Sequence, residues 1–241
     1  MNFHRKPYLT LLSLLLSTIM TPAIDAATIS GNIKYEGEVP KFKPITLDAD
    51  PVCLSKHTTP VLPQTLLLGE GNALANVFVY VKGGVPKKEY PAPSEVVVID
   101  QKGCQYDPHV LGVMIGQTVK ILNPDGTLHN VHALSKVNPE FNLAMPKFRT
   151  EVTQVFNKEE FMFPIKCDVH SWMGAWISVM SHPYFSTTKT DGKFSMGDLP
   201  SGTYEIEAWH EKLGTQTSSV TVTADETKEV NFTFSRPSEA K

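Results

Sequence analysis

Short runs of alternating apolar and polar residues recur along the chain from about residue 28, separated by Gly, Pro, Asn and Asp. Apolar residues at the three- and four-residue spacing of an amphipathic helix are scarce. The alternation predicts strands over 28–35, 76–82, 95–100, 117–122, 129–134, 151–156, 160–166 and 175–181, then over 193–196, 203–210, 217–223 and 228–234. Many short strands at such intervals imply antiparallel sandwiches, and the expected fold class is all-β. Asp191-Gly192 and Pro200-Ser201-Gly202 supply turn chemistry between the later strands.

Two breaks divide this pattern. KGGVPKKEYPAP at 82–93 is rich in Gly, Pro and Lys and reads as a linker or long loop, and the composition changes again near HPYFSTT at 182–188. The expected organisation is a leader at 1–27, an N-terminal β segment at 28–93, a middle domain at 94–182 and a tail at 183–241. The tail is short for a full sandwich. ISGNIKYEGEVPKFKPI and NVFVYVK, within 28–81, can supply its missing strands, with the middle domain inserted between.

The leader pairs a basic region, His4-Arg5-Lys6, with an apolar run over 8–20 and the small residues Ala23, Ala26 and Ala27. That layout reads as a secretory signal peptide cleaved near Ala26 or Ala27. The run is short for a membrane span, and no second one follows. The mature protein is therefore expected to be periplasmic or secreted. The formal charge is −3; the leader carries Arg5 and Lys6 against Asp25, one positive charge, so the remainder is near −4. A weakly acidic chain argues against a nucleic-acid partner. Export permits disulfides, and the three cysteines are Cys53, Cys104 and Cys167. Cys53 and Cys104 lie in loop-like contexts, and pairing them leaves Cys167 as a thiol that a metal would hold.

Cys167 stands in KCDVHSWM at 166–173, where Cys167, His170 and Met173 offer a thiol, an imidazole and a thioether at three-residue steps. A blue-copper site needs a second imidazole, and NPDGTLHNVHAL upstream contains His129 and His132. His129 follows a turn and opens a strand. His132 lies three positions on, so its side chain falls on the opposite face. Other readings of the cluster are a structural cysteine, a zinc site and a Cys-His nucleophile. His109 reads as a loop histidine with a metal role open. Met114, Met145 and Met162 read as core or loop fillers, and Trp209-His210-Glu211 as a domain-interface feature. His182-Pro183-Tyr184-Phe185 is expected to pack the junction between domains.

HNVH at 129–132 and C-x2-H-x2-M at 167–173, together with GQTVKILN before them, resemble the cupredoxins, the small blue copper proteins, and most closely the amicyanin form with its short loop and an aromatic (here Trp172) before the Met. The resemblance covers about 95–181. It implies a Greek-key β-sandwich holding one type 1 copper ion through His129, Cys167, His170 and Met173. Asn130 is implied as the residue that ties the two ligand loops together. The implied activity is one-electron transfer with a redox partner such as a c-type cytochrome or an exported oxidoreductase, without enzymatic turnover. The alternatives are copper buffering and a non-metal binding module. T-x-x-DG-x-F-x-x-x-x-LP-x-G-x-Y-x-I in the tail resembles the carboxypeptidase regulatory-like, or prealbumin-like, sandwich. In a cupredoxin-like site one imidazole edge lies near solvent. His170 is expected to be that edge, within an apolar docking patch of Trp172, Met145 and Pro146.

Overall fold

The structure, a computed structural model, describes Met1 and residues 26–236; the leader's basic region and apolar run fall outside these residues. Along the chain, β1 (Ala27–Tyr35) is followed by a short helix α1 (Pro51–Ser55) and β2 (Phe78–Gly83). The middle contains β3 (Val97–Asp100), β4 (Val110–Met114), β5 (Thr118–Leu122), β6 (His129–Ala133), β7 (Phe141–Met145), β8 (Glu151–Val155), β9 (Glu160–Lys166) and β10 (Gly174–Met180). The last third contains β11 (Phe185–Thr187), β12 (Lys193–Leu199), β13 (Gly202–His210), β14 (Gly214–Val222), β15 (Thr227–Glu229) and β16 (Phe232–Phe234). The chain is all-β apart from α1 and one 3₁₀ turn among the described residues.

Two sandwiches share these strands. In the middle one, a sheet of order β4-β10-β9-β6-β7 packs on a sheet of order β3-β5-β8. Alternate residues of both sheets make its core, among them Ile99, Val119, Ile121, Val131, Phe163, Ile165 and Ile177. The other joins the chain's two ends. β1 pairs antiparallel with β12 and parallel with β15 and β16. β2 pairs with β11 and β13, and β13 continues into β14. Ile29, Ile33, Phe194, Tyr204, Ile206 and Phe234 lie in the shared core.

A third apolar cluster joins the sandwiches. Phe78, Val110, Met162 and Met180 are buried there, with Tyr80, Trp176, Phe185 and Trp209 packed against them. Gly112 on β4 is required at this joint: a Cβ would come within 2.5 Å of the Phe78 ring and 2.7 Å of the Phe185 ring. β4, β7 and β11 are strands the alternation did not predict. β4 (VLGVM) is nearly continuous in apolar residues because it lies parallel to β10 and is covered on both faces. No helix among the described residues is long and apolar enough to cross a membrane.

The turn after β6 is knitted by one carboxylate. Glu160, at the start of β9, accepts bonds from the Ser135 hydroxyl, from the amides of Lys136 (2.6 Å), Val137 (3.1 Å) and Asn138 (3.0 Å), and from the Asn138 side chain. Burial pushes the carboxyl up, but these donors outweigh it and bring its pKa down from 4.5 to about 2. A depressed folded-state pKa means the contribution is complete above about pH 4.5 and is lost as pH falls toward about 2. Glu160→Gln should lower stability by about 1–3 kcal/mol at neutral pH. The gap from wild type should close across that acid window in urea denaturation; a gap independent of pH would contradict the role given to this carboxylate.

Candidate metal centre

The turn before β6 aims His129 inward. Gly126 sits at φ +78°, where a glycine is favoured. Asn123 donates to the Thr127 carbonyl (3.0 Å) and the Met145 carbonyl (2.7 Å), fixing the turn against β7. The other donors come from the loop between β9 and β10. Its backbone closes on itself, with the Met173 amide on the His170 carbonyl (3.0 Å) and the Cys167 amide on the Met173 carbonyl (3.2 Å).

Three side chains meet between these elements. His129 Nδ1 lies 3.0 Å from His170 Nδ1, and Cys167 Sγ lies 3.8 Å from His170 Nδ1. The three donor atoms are all within 4.8 Å of one another. Met173 belongs to the same buried cluster as Cys167, and all four residues are at most 2% exposed. Cys167 is the free cysteine. Asn130 links the two segments: its amide donates to Cys167 Sγ (3.5 Å), and its Oδ1 accepts from the amides of Asp168 (2.6 Å) and Val169 (3.3 Å).

Each imidazole is backed by a carboxylate. His129 Nε2 lies 3.1 Å from Asp125 Oδ2, and Asp125 is itself held by the amides of Gly103 (2.9 Å) and Cys104 (2.7 Å). His170 Nε2 lies 3.0 Å from Asp50 Oδ2, which also accepts from the Thr127 hydroxyl (2.9 Å). A carboxylate at Nε2 favours the proton there and leaves the Nδ1 lone pair facing the centre, the orientation a metal ligand needs. Electrostatics follow the same layout. Burial opposes a charge on His129, but Asp125 and the Cys167 sulfur outweigh it and raise its pKa to about 9. Burial likewise opposes ionisation of Cys167, yet His129 and the Asn130 amide hold the thiol below its usual range. Burial and the neighbouring His129 charge lower His170 despite Asp50. Without metal, His129 is therefore favoured as an imidazolium beside a thiol whose ionisation it eases. Two imidazoles, a thiol and a thioether, all buried, form a borderline-to-soft donor set, which fits copper better than the harder divalent ions.

The expectation that His170 reaches solvent is overturned. α1 lies over it, because Asp50 both caps α1 by accepting from the Val52 amide (2.8 Å) and bonds His170. Cys53, on α1, forms a disulfide with Cys104, and its Sγ lies 3.6 Å from His170 Nε2. Met145 is no patch residue: it is fully buried, with Gln101 Nε2 on its sulfur at 3.1 Å. Trp172 is half-buried, donates to the Cys104 carbonyl (3.1 Å) and lies 5.0 Å ring to ring from His170. His132 turns to the other face of β6, toward Asp168 (2.8 Å) and Glu140 (3.0 Å). His57 bonds the Gly103 carbonyl (2.8 Å). The residues that sequence reasoning missed are Asp50, Asp125 and Tyr106, whose hydroxyl donates to the Asn130 carbonyl at 2.7 Å. Only Asp125 left a signal, an acidic residue four positions before His129.

Residues 173–235 match the family model of the carboxypeptidase regulatory-like domain. Among solved structures, the chain is similar to a methionine-to-alanine mutant of amicyanin in its Cu(I) form, at 22% identity and a TM-score of 0.32, over 42% of this chain and 98% of that one. It is also similar to the purple cupredoxin from Nitrosopumilus maritimus, at 21% identity and a TM-score of 0.29, over 35% of this chain and 99% of that one. A Cu-containing nitrite reductase from Thermus scotoductus SA-01 matches at 22% identity and a TM-score of 0.31, over 42% of this chain and 25% of that one. No curated protein matches the chain.

The cross-link and the cover over His170 are one device, which yields a paired outcome. Replacing Cys53 and Cys104 together by Ser should lower stability by about 3–5 kcal/mol, as loss of a loop of roughly 50 residues implies. In the metal-free protein it should also open His170 to diethyl pyrocarbonate, read by mass spectrometry. Equal protection of His170 in variant and wild type would show that the disulfide does not hold the cover.

Proposed function

We propose that this chain is an exported, periplasmic or secreted, copper protein with one type 1 ion, carrying single electrons between redox proteins. The observation that carries this reading is the buried convergence of His129 Nδ1, His170 Nδ1 and Cys167 Sγ, with Met173 closing the same loop. Copper held by these residues would supply one-electron chemistry, alternating between Cu(I) and Cu(II). The protein's part is to keep the donors still. Asp125 and Asp50 fix the imidazole planes, the Asn130 amide stabilises the sulfur's charge, and the backbone bonds within 167–173 hold the loop. Donors that need not move between two charge states keep the reorganisation cost of transfer low. Four protein donors leave no position for a substrate, so the chain acts as a carrier and not as an enzyme. Its partners are redox proteins, such as a c-type cytochrome or an exported oxidoreductase.

One observation favours a second reading. His170 lies under α1 and the disulfide and presents no imidazole edge to a partner. A shielded ion suits a protein that holds copper without redox turnover.

Copper-loaded wild type should show an intense visible thiolate-to-copper band and the narrow EPR hyperfine pattern of a type 1 site. Cys167→Ser should abolish the band; a band that survived it would remove the assignment. Met173→Leu should keep copper but shift the spectrum and potential, because an axial thioether bond is weak. Stopped-flow mixing with reduced c-type cytochrome separates carrier from store: rapid, repeated oxidation of the cytochrome supports the carrier, and copper retention without exchange supports the store.

A further inference from the structure

The tail sandwich touches the metal loop through one buried polar pair. His109 immediately precedes β4, and Glu211 immediately follows β13. Their side chains are 10% and 5% exposed, and His109 Nε2 lies 2.5 Å from Glu211 Oε1. His109 Nδ1 lies 3.0 Å from the carbonyl of Gly174, the residue after Met173. A carbonyl only accepts, so Nδ1 carries a hydrogen. The contact to Glu211 shares a second hydrogen. Burial alone would push the Glu211 carboxyl up, but His109 holds it below its usual range. The contact is therefore a hydrogen bond between the His109 imidazole and an ionised carboxylate. Trp176 braces both partners: its backbone amide donates to the His109 carbonyl (2.9 Å), and its Nε1 approaches Glu211 Oε2 at 3.4 Å.

The pinned carbonyl lies at the exit of the ligand loop. Gly174 opens β10 opposite Lys166 of β9, and a Cβ there would meet no atom closer than 3.7 Å, so its backbone is held by hydrogen bonds rather than by side-chain packing. The bond from His109 adds the restraint on its carbonyl from the side of the tail sandwich. Met173 is tied by its own amide to His170 and by its carbonyl to Cys167. A shift of Gly174 would therefore move the thioether against the other three donors. Axial thioether bonds in such sites are long and weak, and they are the donors by which the protein adjusts the metal's potential.

We propose that His109 and Glu211 are positioning residues for the metal centre: the carboxylate on the tail sandwich holds the imidazole that pins Gly174, and so helps to set where Met173 stands. This rests on the copper reading above. It gives the tail sandwich a role, since loosening the tail at Glu211 alters the metal centre without touching a ligand.

The test compares copper-loaded wild type with His109→Ala, Glu211→Ala, Glu211→Gln and Tyr204→Phe, by visible absorption, EPR and redox titration. Tyr204→Phe removes only a bond to the Pro200 carbonyl inside the tail, so it should lower the melting temperature and leave the spectra and potential unchanged. Both alanine variants should change the relative intensities of the charge-transfer bands and shift the potential in the same sense. Glu211→Gln, which keeps a polar partner at Nε2, should fall between them and wild type. Wild-type spectra and potential in folded alanine variants overturn the proposal, as does an equal shift in Tyr204→Phe. If the alanine variants do not fold, an unchanged potential in Glu211→Gln overturns it. If wild type itself lacks the thiolate-to-copper band, the copper reading fails on its own. The pinning is then decided in the metal-free protein by amide exchange over 167–174, which should quicken in Glu211→Gln and which, if unchanged, overturns it.

Discussion

Two imidazoles and a thiol cannot be buried in mutual contact unless each polar atom has a partner, and the rest of the structure follows from that constraint. An unpaired polar group away from water costs about 1–3 kcal/mol, and more when it is charged. Here Asp125 and Asp50 take the outer nitrogens, and the inner nitrogens and the sulfur face one another. Meeting this demand draws in distant chain. Asp125 needs the amides of Gly103 and Cys104, and Asp50 needs α1 in place over His170. The disulfide then joins those two supports directly. The shell behind the donors is thus one connected body rather than a set of separate contacts.

How much of this could be read in the sequence depended on the range of the interaction. Strands such as β1 and β5 alternate cleanly because one face of each is the fully covered one, and their periodicity placed them to within a residue or so. β4 and β7 had no such signature. The loop Cys167–His170–Met173 was visible because its donors are close in sequence, and Asn130 because it adjoins His129. Asp50 was invisible: it stands 120 residues from its partner His170, in a segment whose only regular element is five residues long. The same blindness made His170 an expected solvent edge. Loop position alone does not reveal that another segment will fold over it.

The two sandwiches are less independent than their separate cores suggest. Phe78 and Tyr80 from β2 meet Met162 and Trp176 from the middle sandwich, and the hydrogen bond between His109 and Glu211 lies at the edge of that apolar joint. Next to it His210 is buried, and burial lowers its pKa to about 4, so it stays neutral beside the Glu211 carboxylate. An apolar joint with one charge-assisted bond is suited to fixing a relative orientation: the apolar area supplies attraction, and the directional bond selects the register.

The pairing of β1 sets the order of assembly. β1 is the first described strand to leave the ribosome, and its partners β12, β15 and β16 are nearly the last. The middle sandwich can close as soon as β10 is made, whereas β1 must wait through roughly 160 intervening residues, a separation that slows folding because loop closure precedes any gain from contact. Until then β1 is a bare apolar edge, open to pairing with another chain. The architecture therefore favours release of the whole polypeptide before the outer sandwich forms, and a truncated chain lacking β15 and β16 would keep an aggregation-prone edge even with the middle sandwich complete.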